Sequence, residues 1–378
     1  MSCLLNLRPA CIASFVASLV VLGGTLASNL SPFTTAVRAE DTQSCLALRV
    51  SSFASGSIGA VALHEPYAYV GVSQSVFVLD VSDPANPTVV GQSPPLGNDI
   101  IRIAEAGSTL YATFTHSRGV AVVDVSDPSN PAVIEELPDA LVILASANRI
   151  YRAQRDGITI FGADDPLLQR PQGAWRTSAT LGAVADSFIY LDWQTMDSYG
   201  LGGYGIDIVD VTLPSSPSLV QHIDLATIVN RPWADCLYVA ADDDRAAVGL
   251  RGGRGSDEVF LVSATAGAPI SALMTNLPPF VEDLTLDGTH LFYLTELGLY
   301  VMDPGIAPGF KASPAVASRI AGLQRVSRFA ADPNLGVLSN GATLMVLDLS
   351  DPTNPRPLGS IDTPFAEGLT SDLRSLPT

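Results

Sequence analysis

The sequence predicts an all-β fold, and three observations support this prediction. A strand-like motif that ends in an Asp/Pro turn recurs along the chain, first as VFVLDVSDPANP at Val76–Pro87. The copies are regularly spaced, as in proteins built from structural repeats. Beyond the amino-terminal region, no segment shows the sustained 3.6-residue apolar period of an amphipathic helix.

The motif combines a β-branched strand with a sharp turn. It returns at Ala121–Pro131, Ile206–Pro217 and Leu344–Pro355. Valine and isoleucine favour a pleated, half-buried surface. The aspartates that follow can accept hydrogen bonds from backbone NH groups two residues on, and the prolines fix φ. Each copy is therefore predicted to be a strand that runs directly into a tight turn.

The spacing of the motif predicts seven units. In the clear copies the Asp that ends the strand lies at positions 80, 124, 210 and 348, which is close to one, two and three steps of a common period. Degenerate copies at Ile158–Pro166, Val259–Pro269 and Leu299–Pro308 fill the gaps. They place Gly162, Ser263 and Asp303 at the Asp position.

Each unit contains more than one strand. The first shows apolar or β-branched segments at Gly59–Leu63, Tyr67–Val72, Val76–Val81 and Thr88–Gln92, separated by turn residues. Four short strands in each unit of 40–45 residues is typical of a propeller blade. The sequence thus predicts a seven-bladed β-propeller with four-stranded antiparallel blades over residues 45–362, followed by a tail at 363–378.

Ring closure leaves two alternatives open. A propeller must close, because an open first or last sheet would leave unpaired edges. Leu46–Phe53 and Pro357–Asp362 are both candidates for the outer strand of the last blade.

The amino terminus has the pattern of an export signal. Arg8 precedes the uncharged apolar run Ala10–Ala27, and small residues follow it, so residues 1–39 are predicted to be a signal peptide. The alternative is an uncleaved anchor, since the run is of borderline length for a bilayer span. The mature chain is expected to be secreted or at the cell surface, without membrane insertion. Cys45 and Cys236 would remain, as two buried thiols or as a disulfide.

The charge of the chain argues against some partners. The formal net charge is −18 and the isoelectric point is about 4.4. Such an acidic chain is not expected to bind nucleic acid or anionic lipid head groups non-specifically.

The motif resembles a known repeat. The pattern L-x-V-[VL]-D-[VL]-S-D-P-x-N-P, preceded by a strand such as Tyr67–Val70, is similar to the LVIVD repeat. The resemblance implies a β-propeller exported to the surface of bacteria or archaea. It implies no catalytic residues.

Two long connections between the second and third strands suggest a binding site. They are Gln194–Tyr204 in the fourth unit and Arg251–Glu258 in the fifth. Long loops on a rigid scaffold are where binding groups concentrate. The candidate ligand-binding residues are Trp193, Tyr199, Tyr204, Arg251 and Arg254. The alternative is a tolerated Gly-rich insertion, because lengthening a loop costs little free energy.

The aspartates allow two further interpretations. Asp99, Asp139, Asp235 and Asp283 lie at or near the start of innermost strands, where they would ring the mouth of the channel or cap loops. The paired aspartates of the repeated turn are predicted to cap backbone NH groups and not to bind calcium.

Sequence motifs give little support to catalysis. Gly200, Gly202 and Gly205 spell G-x-G-x-x-G but lead into a strand, whereas a dinucleotide site needs a helix there. The four histidines lie at unrelated positions of their units, and no metal-binding or triad spacing is present. We therefore predict no cofactor, metal or catalytic residue, and a monomeric binding or scaffold module for a surface protein or glycan. A propeller hydrolase or lyase with carboxylates at the channel mouth, and a purely structural envelope component, are the alternatives.

Overall fold

The computed structural model describes residues 58–115, 119–195, 203–230, 236–242, 244–251, 257–268, 270–277, 281–287, 290–295, 298–302, 327–341, 343–352 and 354–362. Predictions on the signal peptide, Cys45, Leu46–Phe53 and the tail lie outside these residues. No helix in the part of the chain described is long and apolar enough to cross a membrane.

The strands form seven antiparallel sheets, each built from consecutive strands. Blade 1 contains β1 (Ile58–His64), β2 (Tyr67–Val72), β3 (Ser75–Asp80) and β4 (Thr88–Gln92). Blade 2 contains β5 (Ile100–Ala106), β6 (Thr109–Phe114), β7 (Val120–Asp124) and β8 (Ala132–Leu137). Blade 3 contains β9 (Val142–Ala145), β10 (Arg149–Gln154), β11 (Gly157–Gly162) and β12 (Gly173–Arg176). Blade 4 contains β13 (Thr180–Val184), β14 (Phe188–Gln194), β15 (Tyr204–Asp210) and β16 (Ser218–Asp224), followed by the short helix α1 (Leu225–Ile228).

The remaining three blades repeat the arrangement. Blade 5 contains β17 (Cys236–Asp242), β18 (Arg245–Arg251), β19 (Asp257–Ser263) and β20 (Ser271–Leu277). Blade 6 contains three described strands, β21 (Val281–Asp287), β22 (His290–Thr295) and β23 (Gly298–Met302). Blade 7 contains β24 (Ser327–Asp332), β25 (Leu335–Asn340), β26 (Thr343–Asp348) and β27 (Arg356–Asp362). The predicted seven-bladed β-propeller is confirmed.

The hydrophobic core lies between the blades. Seven clusters of buried apolar side chains each join two neighbouring blades, and one of them joins blade 7 to blade 1. The innermost strands of successive blades contact one another all round the ring, including β1 with β24. Because strands alternate in direction, each blade has its first and third connections at one end and the second at the other, together with the link to the next blade. We call these ends the turn face and the loop face.

The ring closes without exchange of a strand among the described residues. The outer strand of blade 7 is β27, which follows β26 directly in the chain. Blade 1 meets blade 7 through side-by-side contacts: the Ile58 NH donates to the Gly341 carbonyl at 2.9 Å, and the Arg328 Nε donates to the Gly59 carbonyl at 3.0 Å. Of the two candidates for the outer position, the structure therefore places Arg356–Asp362 there.

The Asp/Pro turn also packs one blade against the previous one. A Cβ added at Gly91 on β4 would lie 2.0 Å from the carbonyl oxygen of Pro128, in the turn of blade 2. Gly173 and Gly359 stand at the same position of blades 3 and 7, and each meets the proline carbonyl of the next blade's turn, Pro214 or Pro84. Blades 2 and 4 precede degenerate turns and have Glu135 and Gln221 at this position. In these blades, glycine thus occupies this outer-strand position when the next blade has a regular Asp/Pro turn, and a larger residue occupies it when that turn is degenerate.

Candidate functional site

The paired aspartates of the repeat are confirmed as turn caps. The Asp80 carboxylate accepts a hydrogen bond from the Ser82 NH at 2.8 Å, and Asp83 accepts one from the Ala85 NH at 3.2 Å. Asp124, Asp210 and Asp348 repeat the first of these bonds. The bonds from Ser82 hold the pKa of Asp80 below its usual value. No group of three or more metal-ligating side chains is found in the described ranges.

The predicted ligand-binding residues differ in where the structure places them. Trp193 lies near the end of β14 on the loop face, as expected. Tyr204 is only 2% exposed and packs in the apolar cluster between blades 4 and 5, so its side chain does not present itself to a partner. Arg251 is the last residue of β18. Tyr199 and Arg254 lie outside the described residues.

The predicted channel-mouth acids are spread over different blades. Asp99 directly precedes β5 and its carbonyl accepts from the Thr115 NH at 2.9 Å. Asp283 lies within β21, where its carboxylate accepts from the backbone NH groups of Leu284 and Phe329 at 3.1 and 3.2 Å. Asp283 therefore links blades 6 and 7 structurally. Asp235 lies outside the described residues.

Asp139 lies beside a shallow cavity on the loop face. The cavity has a volume of about 210 Å³ and is lined by Pro138, Asp139, Leu141, Gln154, Arg155 and Asp156. It lies where the link from blade 2 meets blade 3, at one side of the propeller.

The structure brings together three side chains of blade 4 that sequence reasoning did not combine. The imidazole of His222 on β16 stacks on the indole of Trp193, with ring centroids 4.6 Å apart and planes inclined by 16°. The Nδ1 atom of His222 lies 2.5 Å from the Oδ1 atom of Asp207 on β15. We call Trp193, Asp207 and His222 the blade 4 cluster.

Strand register places the blade 4 cluster on one side of the sheet. Asp207 is paired with His222, and Gly205, two residues before Asp207, is paired with Trp193. The indole lies over glycine backbone, because Cβ atoms added at Gly203 and Gly205 would be 3.0 and 2.9 Å from ring atoms of Trp193. The two ends of the long connection between β14 and β15 are joined by a hydrogen bond, which the Gly203 NH donates to the Thr195 hydroxyl at 2.9 Å.

The three side chains of the blade 4 cluster differ in how much of each is exposed to solvent. The His222 side chain is 55% exposed and that of Asp207 is 22% exposed. The Nε1 atom of Trp193 is buried without a hydrogen-bond partner among the described residues. One face of the imidazole is thus covered by the indole, while more than half of the His222 side chain stays exposed.

The cluster is made of departures from the repeat. Asp207 stands three residues before the motif Asp, where the other units have Phe77, Ala121, Thr159, Phe260, Tyr300 and Met345. At the position of His222 the other blades with a described pairing have Gln92, Glu136, Ala174, Ala272 and Ser360. A comparison of the units position by position would have revealed Asp207 from the sequence.

A second departure lies beside the cluster. Asp192 precedes Trp193 on β14 and is paired with Ile206, at a position held by Gly71, Thr113 and Ala153 in the first three blades. Burial raises the pKa of Asp192 to about 6, against the opposing effects of its own backbone NH and of Arg102 on blade 2. Since neighbouring residues of a strand point to opposite sides, Asp192 faces away from the blade 4 cluster.

The cluster has the chemistry of a polar binding site. When the Nδ1 proton of His222 is directed at Asp207, Nε2 is left as a hydrogen-bond acceptor. Asp224 on the same side of β16 caps α1 by accepting from the Thr227 NH and hydroxyl at 3.2 and 2.7 Å. His222 also lowers the pKa of Asp224 electrostatically, after the larger effect of the Thr227 hydrogen bonds. The site therefore combines an aromatic surface with acceptor oxygens and nitrogen.

Solved structures share the fold at low sequence identity. The computationally designed Ika8 protein is 11% identical with a TM-score of 0.50, covering 82% of this chain and 88% of that one. PorZ, a bacterial surface component of the type-IX secretion system of Porphyromonas gingivalis, is 11% identical with a TM-score of 0.51, and the match covers 82% of this chain but 39% of PorZ. Kluyveromyces lactis Hsv2 is 13% identical with a TM-score of 0.51, covering 82% and 100%. These likenesses concern the fold alone.

Sequence comparison identifies the repeats. No curated protein matches the chain. The family model described as the LVIVD repeat matches residues 55–93, 115–137, 201–224 and 338–363, which contain the four clear copies of the motif. The chain therefore contains four regions that match the LVIVD repeat, within a seven-bladed β-propeller.

Proposed function

We propose that this propeller is a binding module, exported to the cell surface, that recognises a protein or glycan through the loop face of blade 4. The observation that carries the proposal is the blade 4 cluster. Asp207 and His222, which have no counterpart at their positions in the other described blades, meet Trp193 at the base of the long Gln194–Tyr204 connection. A purely structural blade does not need a carboxylate at position 207, because the other units have uncharged residues there.

The geometry favours binding over catalysis. Asp207 and His222 form a hydrogen-bonded pair like the acid and base of a hydrolase, but such a pair also needs a positioned nucleophile. No serine, threonine or cysteine hydroxyl or thiol is hydrogen-bonded to His222 among the described residues. Asp283, one of the acids that the enzyme alternative would use, is occupied by two backbone NH groups.

The proposal predicts where a partner will touch the propeller. A photo-crosslinking amino acid is placed at exposed Gln194, on the loop face, in the full chain expressed by cells that naturally produce it. The matched control has the same amino acid at exposed Ser215, in the Asp/Pro turn of the same blade on the turn face. We expect covalent adducts with a surface component from position 194 and not from 215, detected by gel shift and mass spectrometry.

The same experiment can overturn the proposal. Adducts confined to position 215, or the absence of adducts from both positions, would remove the loop face of blade 4 as the contact. In the expected case, Trp193→Ala should reduce the adduct yield from position 194, because it removes the support of His222.

A further inference from the structure

We infer that the ligand of the blade 4 cluster is a neutral hexose glycan. This inference rests on the proposed binding function and adds the chemical class of the ligand. Three features of the site carry it: a flat ring surface, several hydrogen-bond acceptors, and local negative charge.

The flat surface is the outer side of the His222 imidazole. It is held parallel to the indole of Trp193, and the 2.5 Å contact with Asp207 fixes its orientation. Two stacked rings backed by strand form a rigid platform that loses little conformational entropy when a ligand binds. The apolar face of a pyranose ring, with its axial CH groups, matches such a surface in size and polarity.

Hydrogen-bond acceptors lie on the same side of the sheet as this platform. Nε2 of His222 accepts a hydrogen bond when Nδ1 carries the proton, and the carboxylates of Asp207 and Asp224 have lone pairs in excess of their present bonds. Hydroxyl groups donate to carboxylates in short, strong, charge-assisted hydrogen bonds. A sugar presents adjacent hydroxyl donors of this kind, whereas an apolar peptide does not.

The charge distribution selects against acidic ligands. Asp207 and Asp224 lie on the same side of the sheet, and the whole chain carries a net charge of −18. A uronic acid or sialic acid carboxylate would meet like charges here, and like-charge juxtaposition disfavours binding. The site is thus suited to neutral sugars.

The inference is tested by isothermal titration calorimetry of the full chain with three neutral probes: cello-, malto- and manno-oligosaccharides of matched length. Oligogalacturonates of the same length serve as acidic probes. We expect at least one neutral series to bind and the oligogalacturonates not to bind. Trp193→Ala and His222→Ala should each weaken that binding by tenfold or more.

Two further variants separate the contributions of stacking and hydrogen bonding. His222→Phe keeps a ring on the indole but removes Nε2 and the bond to Asp207, so we expect a smaller loss than for His222→Ala. Asp207→Asn keeps the shape and removes the charge, so it should weaken neutral binding and relieve the exclusion of oligogalacturonates. Either variant keeps the test valid if Trp193→Ala fails to fold, as judged by circular dichroism.

A matched control is His64→Ala. His64 also pairs with a carboxylate, Glu105, at 3.6 Å, but it lies at the end of β1 on the turn face. This variant should bind neutral glycans with unchanged affinity. Equal weakening by His64→Ala and His222→Ala would contradict the assigned site.

The outcomes distinguish this inference from the proposed function. Binding of oligogalacturonates in preference to neutral glycans, lost in His222→Ala, would overturn the neutral class and leave the binding face in place. Failure of every glycan to bind would also overturn the inference, while the crosslinking experiment at Gln194 would still decide the binding function independently.

Discussion

At the scale of single residues, Asp192 is unusual because ionisation of its buried carboxyl group costs free energy. Its pKa of about 6 lies above the ordinary 3.8, mainly because of burial. The folded chain therefore holds this proton more tightly than the unfolded chain, and its contribution to stability falls as pH rises from about 4 to 6. Asp192→Asn should match wild type at pH 3.5 and exceed its free energy of unfolding by about 1–3 kcal/mol at pH 7.5.

Urea unfolding of both proteins at the two pH values measures this difference. Asp124→Asn provides a control of opposite sign, because the hydrogen bonds from Ser126 lower the pKa of Asp124. Replacing the Asp124 carboxylate should destabilise the protein at pH 7.5. The effect should become smaller as the pH falls through the pKa that Asp124 has in the folded protein. A gain for Asp192→Asn that persists undiminished at pH 3.5 would show that charge burial is not its cause.

At the scale of the repeated elements, the Asp/Pro turn and the glycine of the preceding blade act as a pair. A methyl group at Gly91 has no space, since it would lie 2.0 Å from the Pro128 carbonyl oxygen and 2.9 Å from Pro131. Both neighbours belong to a rigid turn, so the strand or the turn must shift. We expect Gly91→Ala to lower the free energy of unfolding by about 1–3 kcal/mol, in the range of overpacked cores, as measured by denaturant titration.

Glu135→Ala is the matched control for this substitution. Glu135 occupies the same position of blade 2, but the following turn in blade 3 is degenerate and a Cβ is already accommodated. This variant should change stability by about 0.5 kcal/mol or less, as surface substitutions usually do. Similar losses in both variants would mean that the turn contact does not determine the glycine.

The whole molecule shows which levels of structure can be read from the sequence. The period of the motif predicts seven blades, and the Asp/Pro chemistry predicts the caps at Asp80 and Asp124, because both depend on local sequence. The burial of Tyr204 was not predicted, since it depends on how blade 4 packs against blade 5. The contact of His222 with Asp207 was not predicted either, since it depends on the pairing register of β15 and β16.

For the whole ring, we also predict that the junction of blades 7 and 1 opens first. The blades follow one another in chain order at six interfaces, but blades 7 and 1 are joined only by non-covalent contacts among the described residues. Arg328, 7% exposed, donates from Nε to the Gly59 carbonyl at this seam. Arg328→Met removes a hydrogen bond from a charged donor and should cost about 1.5–3 kcal/mol. Hydrogen exchange should accelerate first in β1 and β24.

Arg149→Met tests whether this opening is specific to the junction of blades 7 and 1. Arg149 on β10 donates to the carbonyls of Asp186, Val211 and Thr212 in blade 4 at 2.6, 2.5 and 2.9 Å, so it makes three hydrogen bonds across its interface. That interface is also crossed by the chain, which holds the two blades together when contacts are lost. We expect Arg149→Met to lower global stability without selective exchange in β10 or β13. Selective opening at blades 3 and 4 instead of at the seam would mean that chain connectivity does not set the weakest point of the ring.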